Sequence, residues 1–395
     1  MPFDRRGFFG RLFASAAVTP AAALAAPSSP PVLVQTPDLP KLPHKLIDGV
    51  KEFTLVAEVI RTSLAPGRIM DAWGFNGSVP GPMIEVVEGD RLRIIVENQL
   101  PEMTGVHWHG LEIPMELDGS IGLGMDPIKP GGKYVYEFTV RQNGSFFYHS
   151  HFPMQEMMGL IGMFVAHPAK AHTPVVDRDY AIILQEWDLK PNNPVPNSLA
   201  MEFNWLTLNG KAGPDSTPLV VKQGERVRIR LVNMGMDHHP IHLHGNHFFN
   251  TGTEAGRRPE STWYAENTII VGVAQARDIE FVASNLGDWM LHCHLPHHMM
   301  NQMVPMVGPD MHHPVYSKVP GYPQDMWIVD DEIYNDKPEN YGLRKGWSGA
   351  MMGMMTMVRV VTPAMYDKIE ALRKNPPPIT LPKGEAHKHN HGDMK

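Results

Sequence analysis

From residue 50 onward, short runs of alternating apolar and polar side chains set the pattern of the chain. Phe53-Thr54-Leu55-Val56-Ala57-Glu58-Val59 reads as a strand. Arg91-Leu92-Arg93-Ile94-Ile95-Val96-Glu97 and Tyr134-Val135-Tyr136-Glu137-Phe138-Thr139-Val140 alternate with the two-residue period of a half-buried strand. Gly/Pro turns separate them, which predicts an all-β chain of sandwich type. One segment, Pro363 to Lys374, predicts a helix.

The pattern occurs twice. Asn76-Gly77, then Gly89-Asp90-Arg91-Leu92-Arg93-Ile94 and Asn98, matches Asn209-Gly210, then Gly224-Glu225-Arg226-Val227-Arg228-Ile229 and Asn233. From Gly89 the offset is 135, and it also carries His107-Trp108-His109-Gly110 onto His242-Leu243-His244-Gly245. An offset of 143 carries His149-Ser150-His151 onto His292-Cys293-His294. Two homologous sandwiches follow, over residues 49–172 and 173–365. Residues 27–48 hold six prolines and predict a linker or wrapping arm.

The first residues read as an export signal. Arg5 and Arg6 precede an Ala-rich stretch, and Ala23-Leu24-Ala25 fits a cleavage site. The arginine pair is of twin-arginine type, which assigns residues 1–26 to a signal peptide and the protein to the periplasm or outside the cytoplasm. No later run offers 18 uncharged apolar residues. A net charge of −7 argues against a nucleic-acid binder.

Composition adds 21 His, 27 Met and a single Cys. In a strand, residues i and i+2 face the same side, so each His-x-His aims two imidazoles at one point. Four such pairs in register point to metal. The second repeat adds His239, Cys293, His298 and Met303, where the first has Thr104, Ser150, Gln155 and Leu160. Two His, a thiolate and a weak axial Met form a blue-copper electron-transfer site. Strand alternation sends His292 and His294 to the side opposite Cys293, so the backbone there links that site to a multi-His cluster.

These motifs resemble the multicopper oxidases. They are His107-Trp108-His109-Gly110, His149-Ser150-His151, His239-Pro240-Ile241-His242-Leu243-His244-Gly245, and His292-Cys293-His294-Leu295-Pro296-His297-His298 reaching Met303. The resemblance spans roughly residues 50–305 and implies two tandem cupredoxin-like Greek-key β-sandwich domains. It implies four coppers. Type 1 is held by His239, Cys293, His298 and Met303, and type 2 by His107 and His242. The type 3 pair is held by His109, His149, His151, His244, His292 and His294. His297 falls where the family pattern has no ligand.

With two domains and type 1 ligands only in the second, the chain resembles the small laccases. That implies a homotrimer with the cluster between subunits, O2 as acceptor, and a small reducing substrate. Phenol, aromatic amine and metal ion stay open as donors. Asp118 is the expected proton-relay acid, with Glu266 second; Ile113 stands where some small laccases have Tyr.

Residues 304–350 are an insertion, either a lid near type 1 copper or a subunit contact. Met299, Met300, Met306, Met311, Met326, Met351, Met352, Met354 and Met355 crowd it, as core filler or as a Cu(I) site. Residues 366–395 give the rest of the helix and a tail with His387, His389 and His391. The rival readings are a periplasmic copper-binding or resistance protein without turnover and a copper nitrite reductase, which lacks four His-x-His pairs.

Overall fold

The computed structural model describes residues 31–190, 193–300, 331–334 and 336–375. In chain order the first half forms β1 (His44–Ile47), β2 (Val50–Ala65), β3 (Arg68–Phe75), β4 (Gly81–Val87) and β5 (Arg91–Asn98). It continues with β6 (Val106–His109), β7 (Lys133–Thr139), β8 (Gly144–Ser150), the short helix α1 (Pro153–Met157) and β9 (Ile161–His167). One sheet runs β1-β2-β5-β7 with β3 on β2; the other runs β4-β9-β8-β6.

The second half forms β10 (Arg178–Trp187), β11 (Trp205–Leu208), β12 (Leu219–Lys222), β13 (Arg226–Asn233), β14 (His239–Leu243) and β15 (Phe248–Thr253). Then come β16 (Gly256–Arg257), β17 (Ala265–Glu266), β18 (Thr268–Val271), β19 (Gln275–Val282), β20 (Gly287–Cys293), β21 (Met355–Val361) and α2 (Pro363–Lys374). Its sheets run β11-β10-β13-β19-β15-β16 and β12-β21-β20-β14-β18, with β17 on β15.

The halves repeat one topology. β2 lies parallel to β5 as β10 does to β13, and β4 lies parallel to β9 as β12 does to β21. The repeated asparagines show why the sequence repeats. Asn76 and Asn209 both adopt φ +51°, and each bonds the backbone of the neighbouring strand through both ends of its amide. Asn98 and Asn233 are buried, and each ties two backbone carbonyls to its amide nitrogen. A short amide side chain is suited to both tasks.

Alternation decides the faces. Leu92, Ile94 and Val96 of β5 are buried in the first core, and Val227, Ile229 and Leu231 of β13 in the second. A third apolar cluster joins Met83, Phe147, Ile161 and Val165 to Ala181, Ile183, Val232 and Ala276, so the sandwiches pack on each other.

Several expectations change. The described part of the proline-rich segment is an arm built into the fold, not a free linker. Val34 is fully buried, Gln35 bridges Tyr180, Lys41 bridges Met83, and β1 pairs with β2. The strand expected at Phe53 to Val59 extends through Val50–Ala65. Helix α2 has the expected bounds, with Thr362 capping its N-terminus and Pro363 at its first position. Helix α1 was not anticipated. The leader, residues 304–330 of the insertion, the His tail, Met306, Met311 and Met326 lie outside the described residues. Among the described residues no helix is long and apolar enough to cross a membrane.

Candidate metal centre

Each sandwich brings four imidazoles together at the end of a sheet. In β6 and β8, His107 pairs with His149 across the ladder. The His107 ring centroid lies 5.5 Å from His109, 5.3 Å from His149 and 5.5 Å from His151. In β14 and β20, His242 pairs with His292. Its ring lies 4.9 Å from His244, 5.7 Å from His292 and 5.5 Å from His294. Both quartets sit at the point where the motif glycine turns the chain. Gly110 and Gly245 have φ of +87° and +66°, and a Cβ there would meet Glu254 O at 2.8 Å or the Trp289 ring at 2.4 Å.

Hydrogen bonds set the imidazole tautomers. His107 Nδ1–H donates to Asp118 O (2.7 Å), and His242 Nδ1–H donates to Asn267 O (2.7 Å). His149 Nδ1–H donates to Ser150 O and His292 Nδ1–H to Cys293 O, each at 2.9 Å. A carbonyl only accepts, so in all four rings Nε2 carries the lone pair, and that of His292 faces His244 Nε2 at 3.0 Å. His149 Nε2 is buried without a partner. Burial, then His149 and His107, push His109 down to about 4, and burial also lowers His107, His244 and His292. Neutral imidazoles crowded at this spacing are ready for a cation.

The third cluster is wholly buried. His239 Nδ1 lies 3.7 Å and His298 Nδ1 3.5 Å from Cys293 Sγ, and the two Nδ1 atoms are 3.2 Å apart. A carboxylate takes the far side of each ring: Glu186 is 3.1 Å from His239 Nε2, and Asp237 is 3.4 Å from His298 Nε2. These partners turn both Nδ1 lone pairs toward the sulfur. Burial pushes the thiol up to about 12 and, with His239 beside it, His298 down to about 3. The turn is clamped from behind. Met354 N–H donates to His298 O, Cys293 N–H donates to Met354 O, and a Cβ on Gly353 would meet His298 O at 2.2 Å.

Eleven of the twelve expected ligands therefore fall into three clusters; Met303 lies outside the described residues. The two quartets remain separate. Among the described residues no ring contact joins one to the other. Asp118 is beside the first quartet, its Oδ1 3.5 Å from His107 Nδ1 and its Oδ2 accepting from Ser120. Glu266 is adjacent to Asn267 but makes no bond to a cluster histidine among the described residues. Its Oε2 is buried without a partner, and burial raises its pKa. Ile113 packs on the first core. Met299, Met351, Met355 and Met357 form one apolar cluster with Met290, Leu343 and Trp347.

Sequence reasoning missed Glu186, Asp237 and Glu156, whose Oε2 lies 3.2 Å from His149 Nδ1. Glu186 stands 53 residues before its histidine and carries no local signal. Asp237 stands two residues before His239, so its position was available to inspection.

Two models described as multicopper oxidase match residues 58–171 and 188–308, together more than half of the chain. The chain belongs to the multicopper oxidase family. It is similar to a copper resistance protein A homolog of Pseudomonas syringae, 37% identical over 142 residues, covering 35% of this chain and 24% of that one. It is 31% identical to laccase-2 of Botryotinia fuckeliana, covering 60% of this chain and 44% of the laccase. The match thus spans less than half the length of these relatives. The fold resembles the blue copper oxidase of Nitrosomonas europaea with a TM-score of 0.60, 28% identity, and coverage of 70% of this chain and 92% of that one.

Proposed function

We propose that this chain is a laccase-like copper oxidase that couples one-electron oxidation of a small donor to the four-electron reduction of O2 to water. The observation that carries the reading is the buried trio His239, Cys293 and His298, with two imidazole nitrogens turned onto one sulfur. Nitrogen and thiolate donors converging in this way suit copper. Met303 would complete that type 1 set. His107 and His242 would hold type 2 copper, and the other six cluster histidines the type 3 pair, four ions in all. When bound, the copper supplies one-electron transfer and the reduction of O2.

The chain's own residues do the rest. Glu186 and Asp237 orient the two type 1 imidazoles. His292 and His294 flank Cys293, so a few backbone bonds join the two kinds of site. Asp118, beside His107, is placed to relay protons, and Glu266 is the second acid.

Each quartet alone offers half the ligands of the cluster, and six of its eight imidazoles are partly or fully open. The separation of the quartets supports a head-to-tail assembly, a homotrimer in which the second sandwich of one copy completes the first of the next. The domains are residues 49–172 and 173–365. Residues 1–26, as a twin-arginine-type leader, would carry the protein to the periplasm or another extracytoplasmic space.

The names of the copper resistance relatives favour a second reading, copper binding without turnover. Oxygen uptake by the copper-loaded protein, with Cu(I) and a small phenol as parallel donors, separates the two. The proposed activity gives uptake that Cys293→Ser lowers by roughly three orders of magnitude, about 4 kcal/mol of barrier, with loss of the blue band. A blue, fully loaded protein without uptake would establish the second reading.

A further inference from the structure

The offset of 143 that carries His149 onto His292 also carries Glu156 onto Met299. In both quartets the ring bonds the carbonyl of the next residue, His149 Nδ1–H to Ser150 O and His292 Nδ1–H to Cys293 O. His149 alone of the two has a charged partner as well. Glu156 Oε2 lies 3.2 Å from the same Nδ1, and its side chain is 24% exposed, so water screens the contact only in part. No carboxylate among the described residues pairs with His292, and Met299 packs against the buried Met351, Met355 and Met357. Helix α1 fixes Glu156 in place. Pro153 opens the helix, and Gln155 ties it down by accepting from Thr104 and Ser150 and donating to Met103 O. Glu156 is the next residue, its own N–H donating to Phe152 O at 3.2 Å.

We propose that Glu156 is a positioning residue for His149: its carboxylate shares the Nδ1 proton with Ser150 O, keeps Nε2 as the ligand atom and strengthens that nitrogen as a donor. This inference rests on the copper reading of the quartets and goes beyond it, because it makes the two type 3 ions unequal. His149 Nε2 is buried without a partner, so it is the atom left for an ion. A full negative charge behind the ring favours a cation at that nitrogen, and a doubly charged ion over a singly charged one. A carboxylate behind a metal-binding imidazole fixes the ring and raises its basicity, and losing it costs about 10–100-fold in metal affinity. His292, backed by a carbonyl, has no such charge. The ion that takes His149 is the one held more tightly and reduced with more difficulty.

The test uses the copper-loaded full chain and reads metal rather than turnover. Wild type, Glu156→Gln and Glu156→Asp are dialysed against rising EDTA, and total copper, the blue band and EPR-visible copper are followed. Glu156→Gln should release cluster copper at about tenfold lower EDTA while its blue band holds. Loss of one ion from a spin-coupled pair leaves its neighbour with an unpaired spin, so EPR-visible copper should rise as total copper falls. Glu156→Asp keeps the charge and should recover most of the retention. Equal retention in wild type and Glu156→Gln would overturn the proposal. So would a parallel loss of blue band and cluster copper, which would place the effect in the fold. A loss in Glu156→Asp as large as in Glu156→Gln would overturn charge as the cause. Oxygen uptake is measured separately: a chain that keeps its copper without uptake would count against the oxidase reading and leave the result for Glu156 standing.

Discussion

At the end of β8 the first sandwich buries Thr104, Ser150 and Gln155 against one another; at the end of β20 the second buries His239, Cys293 and His298. These are matching positions in the repeat. In the first trio both hydroxyls donate to Gln155 Oε1 at 2.8 Å, and Gln155 Nε2 donates to Met103 O at 2.7 Å. Every side-chain polar atom of the trio has a partner. In the second, two carboxylates occupy the outer nitrogens, and two inner lone pairs face a thiol. One S–H serves one of them at most. The same backbone pocket is thus closed by neutral hydrogen bonds in one half and left short of a cation in the other. A metal site here is a matter of three side chains, not of a different fold.

A second pair of regions diverges in the opposite direction. The repeat gives Arg91 and Arg93 on β5 and Arg226 and Arg228 on β13, to which β13 adds Arg230. Arg93 reaches Glu137 and Glu52 at the surface. Arg228 bonds Glu280 and Asp179, and Arg230 bonds Asp179 and Ser145 of β8, all buried. The second sandwich turns this face to the first, and the charges are sealed between them.

Removing one arginine from each stripe gives the largest contrast in stability. Arg228→Ala leaves Glu280 and Asp179 short of a partner in a dry site and should cost about 3–5 kcal/mol. Arg93→Ala, with water at hand, should leave the urea midpoint where it is. Equal losses in the two variants would show that the burial of the second stripe has no energetic weight.

The contrast also marks what the sequence could convey. The motif spacings located eleven side chains that gather into three clusters, because a His-x-His on a strand has one geometric meaning. Alternation located the core faces, because its period is that of the pleat. Neither carries the packing of one sandwich on the other. Arg93 and Arg228 sit in the same motif and read alike, and only the tertiary seam separates an exposed ion pair from a buried network. Glu186 was illegible for the same reason: its role depends on a strand distant in sequence. The arm's seat was hidden by its prolines, which break periodicity without preventing burial of Val34.

A smaller effect is expected at the hydrogen-bonded trio. Gln155→Ala removes the acceptor shared by two buried hydroxyls and the donor to Met103 O, and should cost about 1–3 kcal/mol. The blue band and copper content should hold, since no ligand touches Gln155. Loss of type 1 copper in this variant would mean that the two pockets are coupled across the molecule, contrary to their separate hydrogen-bond sets.

The smallest effect is a slope with pH. Burial opposes the charge of Glu280, but Arg228 and Arg257 outweigh it and hold the carboxyl at about 2, below its ordinary 4.5. A carboxyl depressed on folding stabilises the native state above its unfolded pKa, and that contribution fades as pH falls from about 4.5 toward 2. Glu85, buried and bonded by His167, Lys41 and Val34 N–H, is held at about 2 in the same way and adds to the same window. The urea midpoint should therefore drop between pH 5 and pH 3. Glu280→Gln should lower stability at pH 5 yet flatten the slope, because the glutamine has no proton to gain. An unaltered slope in Glu280→Gln would assign the acid sensitivity to Glu85 and the arm, and so to the first sandwich.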